Sequence, residues 1–168
     1  MKKRESVFNS SALFYAISCA VLCLISRIVS GSPFDMVHKF DGCDIIPPMW
    51  IFNLLWVVWY FFIGLAAGEI INSVSSKRCV GAEQISAYRG GLFFVASFFL
   101  GIMWYTTFFC NQSILVGMVI SVTTLICSVI SAYHWYHTPT SAPPLIMSAY
   151  VIWLFYTTLI NISVFMHN

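Results

Sequence analysis

Charged residues are scarce in this chain of 168 amino acids: Asp, Glu, Lys and Arg together make up only 8% of it, whereas hydrophobic residues make up 60%. A soluble domain carries about 25% charged residues, so this sequence has too little polar surface to fold in water. The net charge is only +2, and the one run of basic residues is Lys2-Lys3-Arg4. These shortages exclude a soluble globular protein and give no support to nucleic-acid binding.

Motifs for metal binding and for catalysis are also missing. The six cysteines are scattered, mostly inside apolar runs, and no C-x-x-C pair occurs, so neither a zinc ribbon nor a thioredoxin-type site is expected. His134-x-x-His137 has ligand-like spacing, but no acidic residue or cysteine lies near it, and an interfacial polar anchor is the plainer interpretation. Glu69 has no paired carboxylate for acid–base catalysis. The sequence therefore predicts no metal site and no required cofactor.

What the chain does have is five long apolar segments, each close to the roughly 20 residues that cross a bilayer as a helix. The strands of a membrane barrel would be about ten residues long and would alternate polar with apolar residues. The sequence thus predicts an all-α membrane protein, a single domain over residues 1–168 built as a five-transmembrane-helix bundle with a ligand cavity. The expected spans are about 11–28, 49–71, 91–110, 114–133 and 145–165.

The first span permits a second interpretation, because basic residues before an apolar run also occur in signal peptides. However, no A-x-A cleavage site follows the run, and Arg27 interrupts the region where cleavage is expected. We therefore expect a retained helix, in which the long side chain of Arg27 extends to the membrane interface.

The distribution of basic residues predicts the orientation. The N-terminal tail and the connection 72–90 together hold six of the eight Lys and Arg residues. By the positive-inside rule, the N-terminus is expected to face the cytoplasm. The polar connection 30–46 then lies on the outer face, where its length makes it a natural lid. Cys43 in this lid and Cys110 fall on the same side of the membrane, so a disulfide between them is a hypothesis.

Aromatic residues occur in the middle of the spans as well as at their ends. Trp56 and Tyr60 lie four residues apart on one face of the second span, and Trp104 and Trp153 lie a third or more of the way into theirs. Plain packing and an interfacial belt are the ordinary explanations, and Trp50, at a span end, is typical of a belt. A cavity that stacks on a planar apolar ligand is the other explanation. The residues alone leave these interpretations open.

Two further features concern helix packing. As an amide deep in the fifth span, Asn161 needs a hydrogen-bond partner, either a neighbouring helix or a ligand. Gly64-x-x-x-Gly68 permits the close approach of another helix. That helix belongs either to the same chain or to a second copy.

Motifs in three spans and in the lid share their order and spacing with one known family. The pattern P-P-x-W-x-F-x-x-x-W-x-x-x-Y, followed by a Gly-Ala stretch, occurs over residues 47–67. The pattern W-x-x-x-F-F occurs over residues 104–109, and residues 150–161 are similar to Y-x-x-W-x-x-F-x-x-x-L-N. The lid stretch 34–39 is similar to an aromatic-x-x-L-x-K-P motif. Over nearly its whole length, the chain resembles the tryptophan-rich sensory protein/translocator protein (TspO/MBR) family.

Members of that family bind porphyrins, haem and drug-like isoquinolines in an intramembrane cavity under the first connection. The resemblance implies a receptor-like protein for tetrapyrroles or similar planar apolar ligands, surrounded by membrane lipid and assembled as a homodimer. Two alternatives stay open: photo-oxidative porphyrin degradation, with Trp56 and Trp153 as electron-donating indoles, and ligand transport, which the absence of repeated halves disfavours. The expected ligand-binding residues are Phe34, Trp56, Tyr60, Trp104, Tyr105, Phe108, Trp153 and Asn161.

The chain also departs from the family pattern. Phe40 replaces the proline expected after Lys39, and Gly101 replaces the asparagine expected three residues before Trp104. No basic residue follows Arg89, although the cholesterol-recognition motif of animal members requires one. Cholesterol recognition by that motif is therefore not expected.

Overall fold

The computed structural model describes residues 10–30 and 47–168, and five helices account for nearly all of them. Each helix is long and apolar enough to cross a membrane, and no strand occurs among the described residues. The predicted all-α, five-helix bundle is confirmed. Residues 31–46 of the expected lid, with Phe34 and Cys43, lie outside the described residues. The hypothesis of a disulfide between Cys43 and Cys110 is wrong, because Cys110 is a free cysteine whose thiol donates to the carbonyl oxygen of Ser30 over 2.8 Å. The helices are α1 (Ser10–Ser30), α2 (Met49–Ser75), α3 (Ala82–Tyr105, continued by a π-helical turn at Thr106–Cys110), α4 (Ile114–Trp135) and α5 (Ala142–His167).

Several helices extend beyond the apolar segments that predicted them. α2 continues to Ser75, and α3 begins at Ala82, nine residues before the expected start of its span. Hydropathy marks only the part of a helix that needs lipid, whereas backbone hydrogen bonding continues into the polar interface. α5 likewise begins early, with Pro143 and Pro144 in its first turn. A proline there removes no helical hydrogen bond, because the first N–H groups of a helix have no partner within it.

α1 packs along α2 through two glycines of α2. A Cβ atom on Gly64 would lie 2.8 Å from the carbonyl oxygen of Tyr15 and 2.9 Å from the Cα of Ala16. A Cβ atom on Gly68 would lie 2.6 Å from the Cα of Ala12. These distances leave no room for a side chain, so the G-x-x-x-G motif brings two helices of the same chain together.

The substitution Gly68→Ala is expected to destabilise the bundle, because overpacking of a close contact costs about 1–3 kcal/mol. The matched control is Gly91→Ala on α3, where an added Cβ would meet no atom within 4 Å. This control substitution is expected to leave the stability of the bundle unchanged or to raise it slightly, since alanine is more favourable than glycine inside a helix. Thermal unfolding in one detergent, followed by helical circular dichroism, compares the two variants. Equal melting temperatures would show that the α1–α2 contact does not depend on glycine.

α4 packs between α3 and α5, and α5 also contacts α2. Hydroxyl groups join these helices: the Oγ of Ser131 donates to the carbonyl oxygen of Gly90 over 2.9 Å, and the hydroxyls of Ser121 and Thr158 lie 2.8 Å apart. Small residues of this kind allow backbones to approach closely within lipid. The remaining space between α2, α3 and α5 is filled mainly by aromatic side chains.

Candidate functional site

Three buried rings from α2 and α3 form a continuous stack. The centroids of Trp56 and Trp104 are 5.4 Å apart with an interplanar angle of 29°, and those of Trp104 and Phe108 are 5.5 Å apart at 18°. None of the three side chains is more than 3% exposed. Nearly parallel rings at this spacing have the offset-stacked arrangement that aromatic pairs prefer. A flat ligand would form the same kind of contact with each of these faces.

Phe52 connects this stack to α5. Its ring centroid lies 5.7 Å from that of Trp153 and 6.3 Å from those of Trp56, Trp104 and Phe109. The indoles of Trp153 and Trp56 also meet edge to face, at 6.0 Å and 75°. Three helices therefore contribute rings to one group, which we call the aromatic cluster: Phe52, Trp56, Trp104, Phe108, Phe109 and Trp153.

Trp104 is held in place by a hydrogen bond to α5. Its indole N–H donates to the Oδ1 of Asn161 over 2.9 Å, and the amide nitrogen of Asn161 donates to the carbonyl oxygen of Thr157 over 2.7 Å. Asn161 is fully buried, so it needs such partners in lipid. The structure thus supplies the helix partner expected for this amide, and a direct contact between Asn161 and a ligand stays a prediction.

Tyr60 extends the aromatic face of α2 beyond Trp56, with ring centroids 6.0 Å apart. Its hydroxyl donates to the carbonyl oxygen of Phe98 over 3.1 Å. Gly101 leaves room for this hydroxyl, because a Cβ atom at Gly101 would lie 2.5 Å from it. The glycine found in place of the expected asparagine therefore lies where the tyrosine hydroxyl needs space.

A buried cation lies beside the aromatic cluster, near the last turn of α1. Arg27 is only 9% exposed, and its guanidinium carbon is 4.1 Å from the ring centroid of Tyr105 and 5.7 Å from that of Trp56. A guanidinium nitrogen also donates to the side-chain oxygen of Asn53. The expectation that Arg27 extends to the interface is wrong, because aromatic faces and an amide inside the bundle bind the guanidinium instead.

Some polar groups near the cluster have no hydrogen-bond partner among the described residues. They include the indole N–H groups of Trp56 and Trp153, the Nε of Arg27 and the hydroxyl of Tyr150. A buried donor without a partner costs about 1–3 kcal/mol. These groups are therefore suited to an acceptor that a ligand brings with it.

A cavity of about 620 Å³ lies away from the aromatic cluster. It is found where α2 and α3 approach their connection, and its walls come from α1, α2, α3 and the end of α4. The rings of the cluster instead contact one another. A ligand that stacks between Trp56 and Trp104 must therefore separate these two rings first, and the aromatic-lined cavity under the connection 30–46 stays a prediction. Residues lining the cavity include Tyr15, Ile70, Val74, Ala87, Gly91 and Trp135.

The structure describes seven of the eight residues that the sequence predicted for the site, all except Phe34. Tyr105 lies at the edge of the group, 5.2 Å from the ring of Phe109 and under the guanidinium of Arg27. The prediction missed the central position of Phe52, although Phe52 lies one turn before Trp56 on the same face of α2. It also missed Arg27 and Asn53 as neighbours of the cluster.

Comparison with known protein families finds a match. The sequence model of the TspO/MBR family matches residues 13–166 of the chain. The matched region contains the whole aromatic cluster, together with Arg27 and Asn53. A search among curated proteins finds no match.

Proposed function

Since the chain belongs to the TspO/MBR family, we propose that it binds a porphyrin, haem or a similar planar apolar ligand among the rings of its aromatic cluster. The chain is an integral, multi-pass membrane protein. The observation that carries the proposal is the buried stack of Trp56, Trp104 and Phe108. Aromatic pairs in this arrangement contribute about 0.5–1.5 kcal/mol each beyond the area they bury.

We propose that the rings without a hydrogen bond are the ones that move when a ligand enters. Trp104 donates to Asn161 and is fixed by that bond, whereas the N–H groups of Trp56 and Trp153 have no partner among the described residues. Rotation of Trp56 or Trp153 therefore breaks no hydrogen bond. In the proposed complex, Trp104 is the fixed face on which the macrocycle stacks, and Trp56 and Trp153 close over its other side.

Titration with protoporphyrin IX in the dark tests the proposal. The protein is reconstituted in lipid nanodiscs, and the shift of the porphyrin absorption band is measured against empty nanodiscs. Because the signal comes from the ligand, removal of an indole does not alter the readout. We expect Trp56→Ala and Trp153→Ala each to weaken binding about tenfold or more, a loss of about 1.4 kcal/mol.

The matched control for this titration is Trp50→Ala. Trp50 is also on α2, but it is 64% exposed and lies at the first turn of the helix. Its removal is expected to leave the affinity unchanged. If Trp56→Ala and Trp153→Ala both bind protoporphyrin IX with wild-type affinity, the aromatic cluster is not the binding site.

A further inference from the structure

The positive charge of Arg27 has no acidic partner within the described bundle. The described residues contain only two acidic side chains, Glu69 and Glu83. Glu69 lies sixteen residues beyond Asn53 on α2, roughly 24 Å away at about 1.5 Å per residue. Glu83 lies 22 residues before Tyr105 on α3, roughly 33 Å away by the same measure. Both carboxylates are therefore at the opposite end of the helices that surround Arg27.

The neighbours of Arg27 that the structure describes orient its guanidinium but do not neutralise it. The faces of Tyr105 and Trp56 and the amide oxygen of Asn53 are uncharged. The Nε of Arg27 has no partner in the described part of the chain, and neither has the indole N–H of the adjacent Trp56. A buried charge without a counter-ion is costly in lipid. An anion that accepted hydrogen bonds here would remove that cost.

We propose that Arg27 binds the carboxylate of the ligand, so that the site selects planar apolar molecules that carry an acidic group at one edge. This inference rests on the proposed function and names the class of ligand for the same site. A guanidinium presents paired N–H groups that match the two oxygens of a carboxylate. Arg27 lies 5.7 Å from the ring of Trp56, which stacks on Trp104, so a macrocycle between the two indoles would bring one edge near the guanidinium. Asn53 acts as a positioning residue, because it holds the guanidinium through one nitrogen.

Protoporphyrin IX and its dimethyl ester form a matched pair of probes for this preference. Both have the same macrocycle, but only the free acid carries carboxylates. Each is titrated into nanodiscs of uncharged, zwitterionic lipid, with empty nanodiscs as the correction for partition. We expect the wild-type protein to bind the acid about tenfold or more tightly than the ester, since a guanidinium donates stronger hydrogen bonds to a charged carboxylate than to an uncharged ester.

Variants of Arg27 distinguish an effect of its charge on ligand binding from an effect on folding. Arg27→Gln is expected to lower the affinity for the acid about tenfold and to leave the affinity for the ester unchanged, so the ester reports whether the variant is folded. Arg27→Lys keeps the charge without the paired N–H groups, and an intermediate preference for the acid is expected. The control is Arg89→Gln, which removes an exposed cation on α3 and is expected to preserve the full preference.

Each result of these titrations counts for or against the inference. Equal affinities of the wild-type protein for acid and ester would overturn it and leave the proposed function standing; that result is expected if a carboxylate of the chain itself, such as Asp35, Asp41 or Asp44, neutralises Arg27. Loss of both ligands in Arg27→Gln would also count against it, because the ester has no carboxylate that Arg27 could bind. If the wild-type protein binds neither probe, the proposed function itself fails.

Discussion

Replacement of Phe52 by alanine is expected to lower the free energy of unfolding by about 3–5 kcal/mol, the usual range for truncation of a buried phenyl ring. Phe52 is only 1% exposed, and its ring lies against Trp56, Trp104, Phe109 and Trp153. These neighbours come from α2, α3 and α5, so the variant loses contacts between helices as well as within one. In lipid, dispersion contacts of this kind replace the hydrophobic effect as the main force between helices.

Unfolding in mixed micelles of increasing SDS content measures this loss. The matched control is Phe62→Ala, which truncates the same side chain on the same helix at a position that is 41% exposed. Because lipid can fill the space left at Phe62, a change of less than about 1 kcal/mol is expected there. Similar losses in both variants would mean that the contacts of the Phe52 ring contribute no special stability.

The spans could be predicted because a bilayer imposes one simple requirement. A helix must bury about 20 residues in hydrocarbon, so the length of an apolar run marks a span directly. The same reasoning missed the last residues of α2 and the first residues of α3, since Ser75 and Ala82 lie in polar sequence that is nevertheless helical. Hydropathy contains no information about where the backbone hydrogen bonds stop.

Part of the candidate site could be predicted because it follows helical periodicity. Trp56 and Tyr60 lie on one face of α2, and the structure places both inside the bundle. Which rings of α3 and α5 meet them depends on how the helices are rotated and shifted against each other. Spacing along one helix does not contain that information, which is why the central position of Phe52 was not predicted.

The position of Arg27 illustrates the same limit. The buried residues of α1 are Ala12, Ala16, Cys23 and Arg27, and they share one helical face. Ala12 and Ala16 lie against Gly68 and Gly64 of α2, so the glycine contacts fix the rotation of α1. That rotation directs Arg27 to Asn53 and Trp56. The general tendency of arginine to extend toward water could not predict this arrangement, because it takes no account of the neighbouring helix.

The most informative binding result is expected from Trp104→Ala, compared with a variant that fills the separate cavity. Trp104 stacks on both Trp56 and Phe108 and has a hydrogen-bonded indole. Removal of a buried aromatic anchor of this kind typically costs 2 kcal/mol or more, which corresponds to about a 30-fold loss of affinity for protoporphyrin IX. Trp104→Phe keeps a ring but cannot donate to Asn161, and it is expected to lose less affinity for protoporphyrin IX than Trp104→Ala.

Gly91→Leu supplies the comparison, because Gly91 lines the cavity of about 620 Å³ and an added Cβ would meet no atom within 4 Å. The new side chain occupies part of that cavity without contact with the aromatic cluster, so the affinity for protoporphyrin IX is expected to stay within about twofold of wild type. Helical circular dichroism checks whether both variants are folded. The opposite result, in which Gly91→Leu abolishes binding and Trp104→Ala preserves it, would place the ligand in the cavity. The stacked rings would then serve only to hold α2, α3 and α5 together.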